Sequence, residues 1–93
     1  MSDSGPVRRT LMIANARGLH ARASAKFVET VSAFTAEVRV HRDGETVDGA
    51  SIMGLLMLGA GRGVSIDVEA EGPQAEQAIA AIAELVDAKF YED

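Results

Sequence analysis

The chain has 93 residues, 9 Lys and Arg against 14 Asp and Glu, a formal charge of −5, and no cysteine. That length supports one modest core, so a single domain over residues 1–93 is expected. The absence of cysteine excludes a disulfide framework, a thiol nucleophile and a thiolate metal site, and the negative balance argues against a general nucleic-acid binder.

The basic residues gather early, at Arg8, Arg9, Arg17, Arg22 and Lys26, which predicts a positive patch on an acidic body. No apolar run approaches the ~20 residues of a membrane span. The polar start does not read as a secretory signal, so a cytoplasmic protein is expected.

Residues 1–6 read as a flexible tail. Val7, Leu11 and Ile13 alternate with Arg8, Thr10 and Met12, the pattern of a first strand. Asn15 to His20 is a small, polar, glycine-bearing loop. Ala23, Ser24, Phe27, Val28, Val31 and Phe34 then follow the i, i+3, i+4, i+7 spacing of a helix face. Ala36, Val38 and Val40 alternate with Glu37, Arg39 and His41 in a second strand, with His41 on its polar, solvated side. Asp43-Gly44 carries hairpin turn chemistry, and Thr46 and Val47 continue into a third strand.

Ser51 is placed to cap a short, methionine-rich second helix, in which Met53 is expected to be exposed and Leu55 and Leu58 buried. The glycines from Gly59 to Gly63 lack a Gly-Lys-Ser/Thr ending and read as a connector, not a phosphate-cradling loop. Val64, Ile66, Val68 and Ala70 alternate in the clearest strand. Gly72-Pro73 is expected to open a last helix with Ala75, Ala78, Ile79, Ile82, Leu85 and Val86 on its apolar stripe, Phe90 extending that stripe and Lys89 in the last turn. The order β-α-β-β-α-β-α, with one polar face per strand, predicts an α+β fold: a four-stranded antiparallel sheet covered on one face by three helices. A ferredoxin-like arrangement shares the first six elements, and the pattern by itself does not separate the two.

His20 stands where the glycine-bearing loop becomes the first helix. The leading N–H groups of a helix lack intrahelical partners and carry partial positive charge, which makes that end an anion site. A protonated ring is disfavoured there. A phosphoryl group, bringing a charge of about −1.5 to −2, is favoured. Arg22 supplies a planar fork of donors for phosphate oxygens, and Arg17 adds charge from the loop side. Two histidines far apart without cysteine give no support for a metal site, and no cofactor is implied.

Gly18-Leu19-His20-Ala21-Arg22, together with the later Ser51-Ile52-Met53-Gly54, resembles the signatures of the HPr family, the histidine phosphocarriers of the phosphoenolpyruvate-dependent phosphotransferase system. The resemblance covers nearly the whole chain and implies an HPr-like open-faced β-sandwich. It also implies a non-enzymatic carrier in which Nδ1 of His20 accepts a phosphoryl group from enzyme I and passes it to an EIIA-type protein. The backbone N–H of Ala21 and the Arg22 side chain would steady the phosphate. Ser51 matches a serine that an HPr kinase/phosphorylase modifies in some lineages, and Ile52, Met53 and Met57 fall on the helix that docks partners. Ala23 replaces the proline usual after the arginine, which loosens the first turn.

Ala70-Glu71-Gly72-Pro73-Gln74 and the ending Phe90-Tyr91-Glu92-Asp93 resemble the nitrogen-related, regulatory branch, whereas Ser51-Ile52-Met53-Gly54 resembles the carbohydrate-uptake branch. The regulatory branch is favoured. The alternatives are a carbohydrate-uptake carrier, a ferredoxin-like module that senses an anion without covalent chemistry, and an interaction domain built on the methionine-rich helix. A monomer is expected, since a carrier presents one patch to successive partners.

Overall fold

The computed structural model describes residues 5–92, so most of the tail expected over residues 1–6 lies outside the described residues. The elements are β1 (Val7–Met12), α1 (Ala21–Ser32), β2 (Glu37–Arg42), β3 (Glu45–Asp48), α2 (Ile52–Met57), β4 (Ser65–Glu71) and α3 (Ala75–Asp87), then a single 3-10 turn over Lys89–Tyr91. The strands form one antiparallel sheet in the order β1-β4-β2-β3. A ferredoxin-like sheet would seat β3 between β1 and β2. Here β4 takes that place, pairing Val68 with both Arg9 and Val40, so that arrangement does not apply.

Alternation sends Leu11, Val38, Val40, Ile66, Val68 and Ala70 to one face. There they meet Ala23, Phe27 and Val31 of α1 and Ala78, Ile79, Ile82 and Val86 of α3 in a single core. Each large apolar side chain fully buried there contributes about 1.5–3 kcal/mol. Leu55 and Leu58 join this core, as their spacing predicts. Asp43 and Gly44 form the two-residue loop between the paired Arg42 and Glu45. Their φ values of 51° and 80° are the left-handed pair a type I′ hairpin turn requires.

The other face of the sheet is polar and ordered. Arg39 pairs with Glu37, Glu69 and Glu71, each at 3.2 Å, and Thr10 donates to Asp67 at 2.6 Å. His41 is not simply solvated. One ring nitrogen meets Thr46 Oγ1 at 2.7 Å and the other meets Glu69 Oε1 at 2.7 Å, because the antiparallel register brings β3 and β4 to either side of it.

The last helix starts later than its proline suggests. Pro73 sits inside a turn closed by Ala75 N–H donating to the Gly72 carbonyl. Gln74 is held outside the helix by two bonds to Thr35: its N–H donates to the Thr35 carbonyl at 3.0 Å, and its Oε1 accepts from the Thr35 N–H at 2.8 Å. The helix also ends at Asp87, before Lys89. Phe90 is fully buried, but from a left-handed turn and not from the helical stripe.

Candidate functional site

The loop that carries His20 is fixed from within and from across the molecule. Asn15 is buried. Its carbonyl accepts from Gly18 N–H at 3.2 Å and its Nδ2 donates to the Gly18 carbonyl at 2.8 Å, closing the turn on itself. Leu19 N–H donates to the Ala60 carbonyl at 2.9 Å, which ties the loop to the connector following α2. Gly18 has φ +66°, and a Cβ there would lie 2.6 Å from Ala60 O and 2.7 Å from Gly61 Cα. Only glycine allows both the turn and that approach.

His20 is the N-cap of α1, with extended backbone at φ −75°, ψ −177°. Its carbonyl accepts from Ser24 N–H at 2.8 Å, and Ser24 Oγ donates to the Leu19 carbonyl at 3.2 Å, so the loop and first helical turn are joined at two points. The helix start forms with Ala23 fully buried, without the proline that the resemblance noted above would lead one to expect.

The ring of His20 is bonded on both sides. Nδ1 accepts from the backbone N–H of Arg22 at 3.3 Å, and Nε2 meets Glu92 Oε2. A backbone N–H can only donate and an ionised carboxylate can only accept, so the two contacts assign the proton to Nε2 and a lone pair to Nδ1. Glu92 also accepts from Asn15 Nδ2 at 3.1 Å. Its carboxyl is held below the usual carboxylate range, first by the His20 hydrogen bond and further by Asn15, against the opposing effect of burial.

Arg17, Arg22, Lys26, Tyr91 and Glu92 surround His20 in a cleft of about 320 Å³. Among the described residues Arg17, Arg22 and Lys26 form no ion pair, which leaves the cleft rich in cation donors. A larger groove of about 630 Å³ runs between the starts of β1 and α3, along Glu71, Pro73, Glu76 and Gln77. Among the described residues its lining holds no cation, unlike that of the cleft around His20.

The structure thus brings His20, Ala21, Arg22 and Arg17 to one helix end. Ser51 stands apart as the N-cap of α2, its Oγ accepting from Gly54 N–H at 3.0 Å. On α2, Met53 and Met57 are 67% and 72% exposed and Ile52 is exposed beside them; Met12 at the end of β1 is exposed as well. Sequence reasoning did not place Asn15 or Glu92 in the site. Asn15 lay in the right loop without a distinguishing pattern. Glu92 is 72 positions from His20, beyond any local spacing rule.

The family model described as "PTS HPr component phosphorylation site" matches residues 7–88. The chain is 42% identical over 86 residues to the phosphocarrier protein HPr of Neisseria meningitidis, covering 92% of this chain and 97% of that one. It is equally 42% identical over 88 residues to the phosphocarrier protein NPr of Escherichia coli, covering 94% and 98%. The crystal structure of HPr-C-His from Thermoanaerobacter tengcongensis superposes with a TM-score of 0.90 at 40% identity, covering 94% of this chain and 98% of that one. Sequence, fold and the histidine-capped helix agree: the chain belongs to the HPr family of phosphocarrier proteins of the phosphotransferase system.

Proposed function

We propose that this chain carries a phosphoryl group on Nδ1 of His20, taking it from the phosphohistidine of enzyme I and yielding it to an EIIA-type protein of a regulatory, nitrogen-related system. The observation that carries this reading is the lone pair on Nδ1, held at a helix N-terminus by the Arg22 N–H. In the accepting step the P–N bond to the donor histidine breaks as a P–N bond to Nδ1 forms, and the proton already on Nε2 stays there. The bond from Arg22 N–H to Nδ1 is then replaced by one to a phosphate oxygen. Ala21 N–H belongs to the same unpaired helix end, and Arg22 and Arg17 supply further donors. Phosphoryl transfer rests on positioning and charge stabilisation, and the capped helix end with Arg17, Arg22 and Lys26 beside it supports that reading.

The exposed Ile52, Met53 and Met57 suit a surface that must serve successive partners, since methionine adapts its shape at little cost. Ser51 is assigned to helix capping. Its partial exposure beside Ile52 and Met53 also supports a second reading, in which a kinase phosphorylates it and alters that surface. The carrier is expected to act as a monomer in the cytoplasm. For the branch, the Gly72-Pro73-Gln74 turn and the Phe90-Tyr91-Glu92 ending favour the regulatory system over carbohydrate uptake.

The test is incubation with phosphoenolpyruvate and enzyme I. An acid-labile, base-stable phosphate should appear on the chain and be absent from His20→Ala. Equal labelling of that variant would remove His20 as acceptor, and reversible phosphate binding without label would favour a non-covalent sensor. Discharge to a nitrogen-type EIIA faster than to a carbohydrate-type EIIA supports the regulatory branch, and the reverse order overturns it.

A further inference from the structure

Resting on the reading of His20 as phosphoryl acceptor, we propose that Glu92 is a positioning residue for the transfer. Its carboxylate holds the proton on Nε2, keeps the Nδ1 lone pair free, and offsets the positive charge the ring takes on when Nδ1 becomes bonded to phosphorus.

The two bonds of the His20 ring run in opposite directions. Neutral imidazole has one N–H and one lone pair, and the nitrogen that is bonded to an acceptor keeps the proton. Arg22 N–H donates to Nδ1, and Glu92 takes the hydrogen of Nε2, so both contacts favour the same tautomer. This is the arrangement in which a carboxylate orients a reactive imidazole and stabilises its charged form without itself taking the proton. Here the reactive nitrogen would receive a phosphoryl group on the proposed reading.

The carboxylate is itself held. Asn15 Nδ2 donates to its other oxygen at 3.1 Å, and Asn15 is anchored in turn to the Gly18 carbonyl. Lys26 Nζ donates to the Phe90 carbonyl at 2.6 Å, fixing the chain two residues before Glu92. The side chains of His20 and Glu92 are only 19% and 18% exposed, so their interaction is less screened than that of an open surface pair. Among the described residues, the ionisable groups that line the cleft around the ring are Glu92 and Tyr91 from the C-terminal turn, Arg22 and Lys26 from α1, and Arg17 from the loop. Glu92 is the only carboxylate among these residues.

The consequences concern both halves of the carrier cycle. When Nδ1 accepts the phosphoryl group, the ring with its Nε2–H becomes a phosphorylated imidazolium, whose charge the Glu92 carboxylate balances. On discharge, the P–N bond to Nδ1 breaks, its electron pair returns to Nδ1, and the Nε2 proton remains in place. The protonated ring is the better leaving group. Glu92, by retaining that proton, keeps the phosphoprotein discharge-competent to higher pH.

The experiment compares the wild type with Glu92→Gln and with Asp93→Asn, which removes the neighbouring acid and serves as a charge-matched control. Three readouts are taken: the rate of labelling by enzyme I and phosphoenolpyruvate, the pH profile of phosphate loss from the labelled protein, and the 1H–15N signature of the imidazole N–H. The wild type should show a protected, strongly deshielded proton on Nε2. Glu92→Gln should lose that signature, label about tenfold more slowly, as expected for a charge-assisted hydrogen bond, and show its fall in discharge at lower pH. Asp93→Asn should match the wild type. Unchanged signature, rate and profile in Glu92→Gln would overturn the role of Glu92 while leaving His20 as acceptor. Equal losses in both variants would overturn it in favour of general tail charge. A wild type that takes no label fails the carrier reading itself, and is thereby distinguished from failure of the Glu92 assignment.

Discussion

Replacing Lys26 with methionine should loosen the C-terminal turn without unfolding the domain. Lys89, Phe90 and Tyr91 have φ of 56°, 57° and 58°, three consecutive side-chain-bearing residues in the left-handed region. At about 1–2 kcal/mol each, that conformation costs roughly 3–6 kcal/mol. Opposing it, the fully buried Phe90 contributes about 1.5–3 kcal/mol, and the bond from Lys26 Nζ to the Phe90 carbonyl about 1.5–3 kcal/mol. The two sides nearly balance, so the turn has little reserve. Lys26→Met keeps the aliphatic stem and deletes the ammonium donor. The amides of Tyr91 and Glu92, which donate to the carbonyls of Ala88 and Lys89, should then exchange about 10- to 100-fold faster. Amides in the middle of α3 should slow or quicken only with global stability. The Nε2–H signature of His20 should weaken in parallel, since Glu92 is delivered by that turn. Native protection of Tyr91 and Glu92 in the variant would show that Lys26 does not hold the turn, and the energy balance above would be wrong.

Other substitutions test the remaining supports. Gly18→Ala forces a left-handed alanine against the Ala60 and Gly61 backbone, a cost of about 2–5 kcal/mol, and should lower the calorimetric midpoint by roughly 10 °C or more; an unchanged midpoint would contradict the close approach. Ser51→Ala should cost about 1 kcal/mol by loss of the bond to Gly54 N–H, while Ser51→Asp should retain the cap; thermal melts decide, and labelling of His20 should survive in both. Stability should fall in acid through Glu69, whose carboxyl lies below its ordinary 4.5, first through the His41 hydrogen bond and next through Arg39. Its folded value is the lower one, so its contribution is complete above the unfolded value and disappears as pH drops through the folded value. The melting difference between wild type and Glu69→Gln should therefore shrink below about pH 4.5, and a difference constant into strong acid would refute the ionic account.

Most of the fold was legible because its signals are local. Alternation located β1, β2 and β4; Asp43-Gly44 fixed the hairpin; Ser51 marked the start of α2. The errors share one cause, a tertiary bond overriding a local preference. Pro73 is suited to the first position of a helix, yet Gln74 is tethered to Thr35 and delays α3 to Ala75. His41 has the alternation of a solvated residue, but Thr46 and Glu69 reach it from the neighbouring strands. The left-handed turn at Lys89–Tyr91 contains no glycine or asparagine to announce it, so nothing local foretold that the chain would double back to His20.

That division runs through the site itself. The locally encoded half consists of the helix end, His20, Arg22 and Arg17. It accounts for an anion-attracting cleft, and its loss should abolish phosphoryl acceptance on the proposed reading. The tertiary half consists of Asn15, Lys26 and Glu92, joined across the chain by hydrogen bonds at 2.6 and 3.1 Å and the contact to Nε2. On the same reading it does not create the acceptor nitrogen but sets which ring nitrogen holds the proton and which the lone pair. Variants in the tail should therefore change rate and pH dependence while leaving the residue that is labelled unchanged. Tail variants that redirected the phosphate to Nε2 would support the same division, because freeing Nε2 of its proton is the one route by which a distant carboxylate can alter the position of the label.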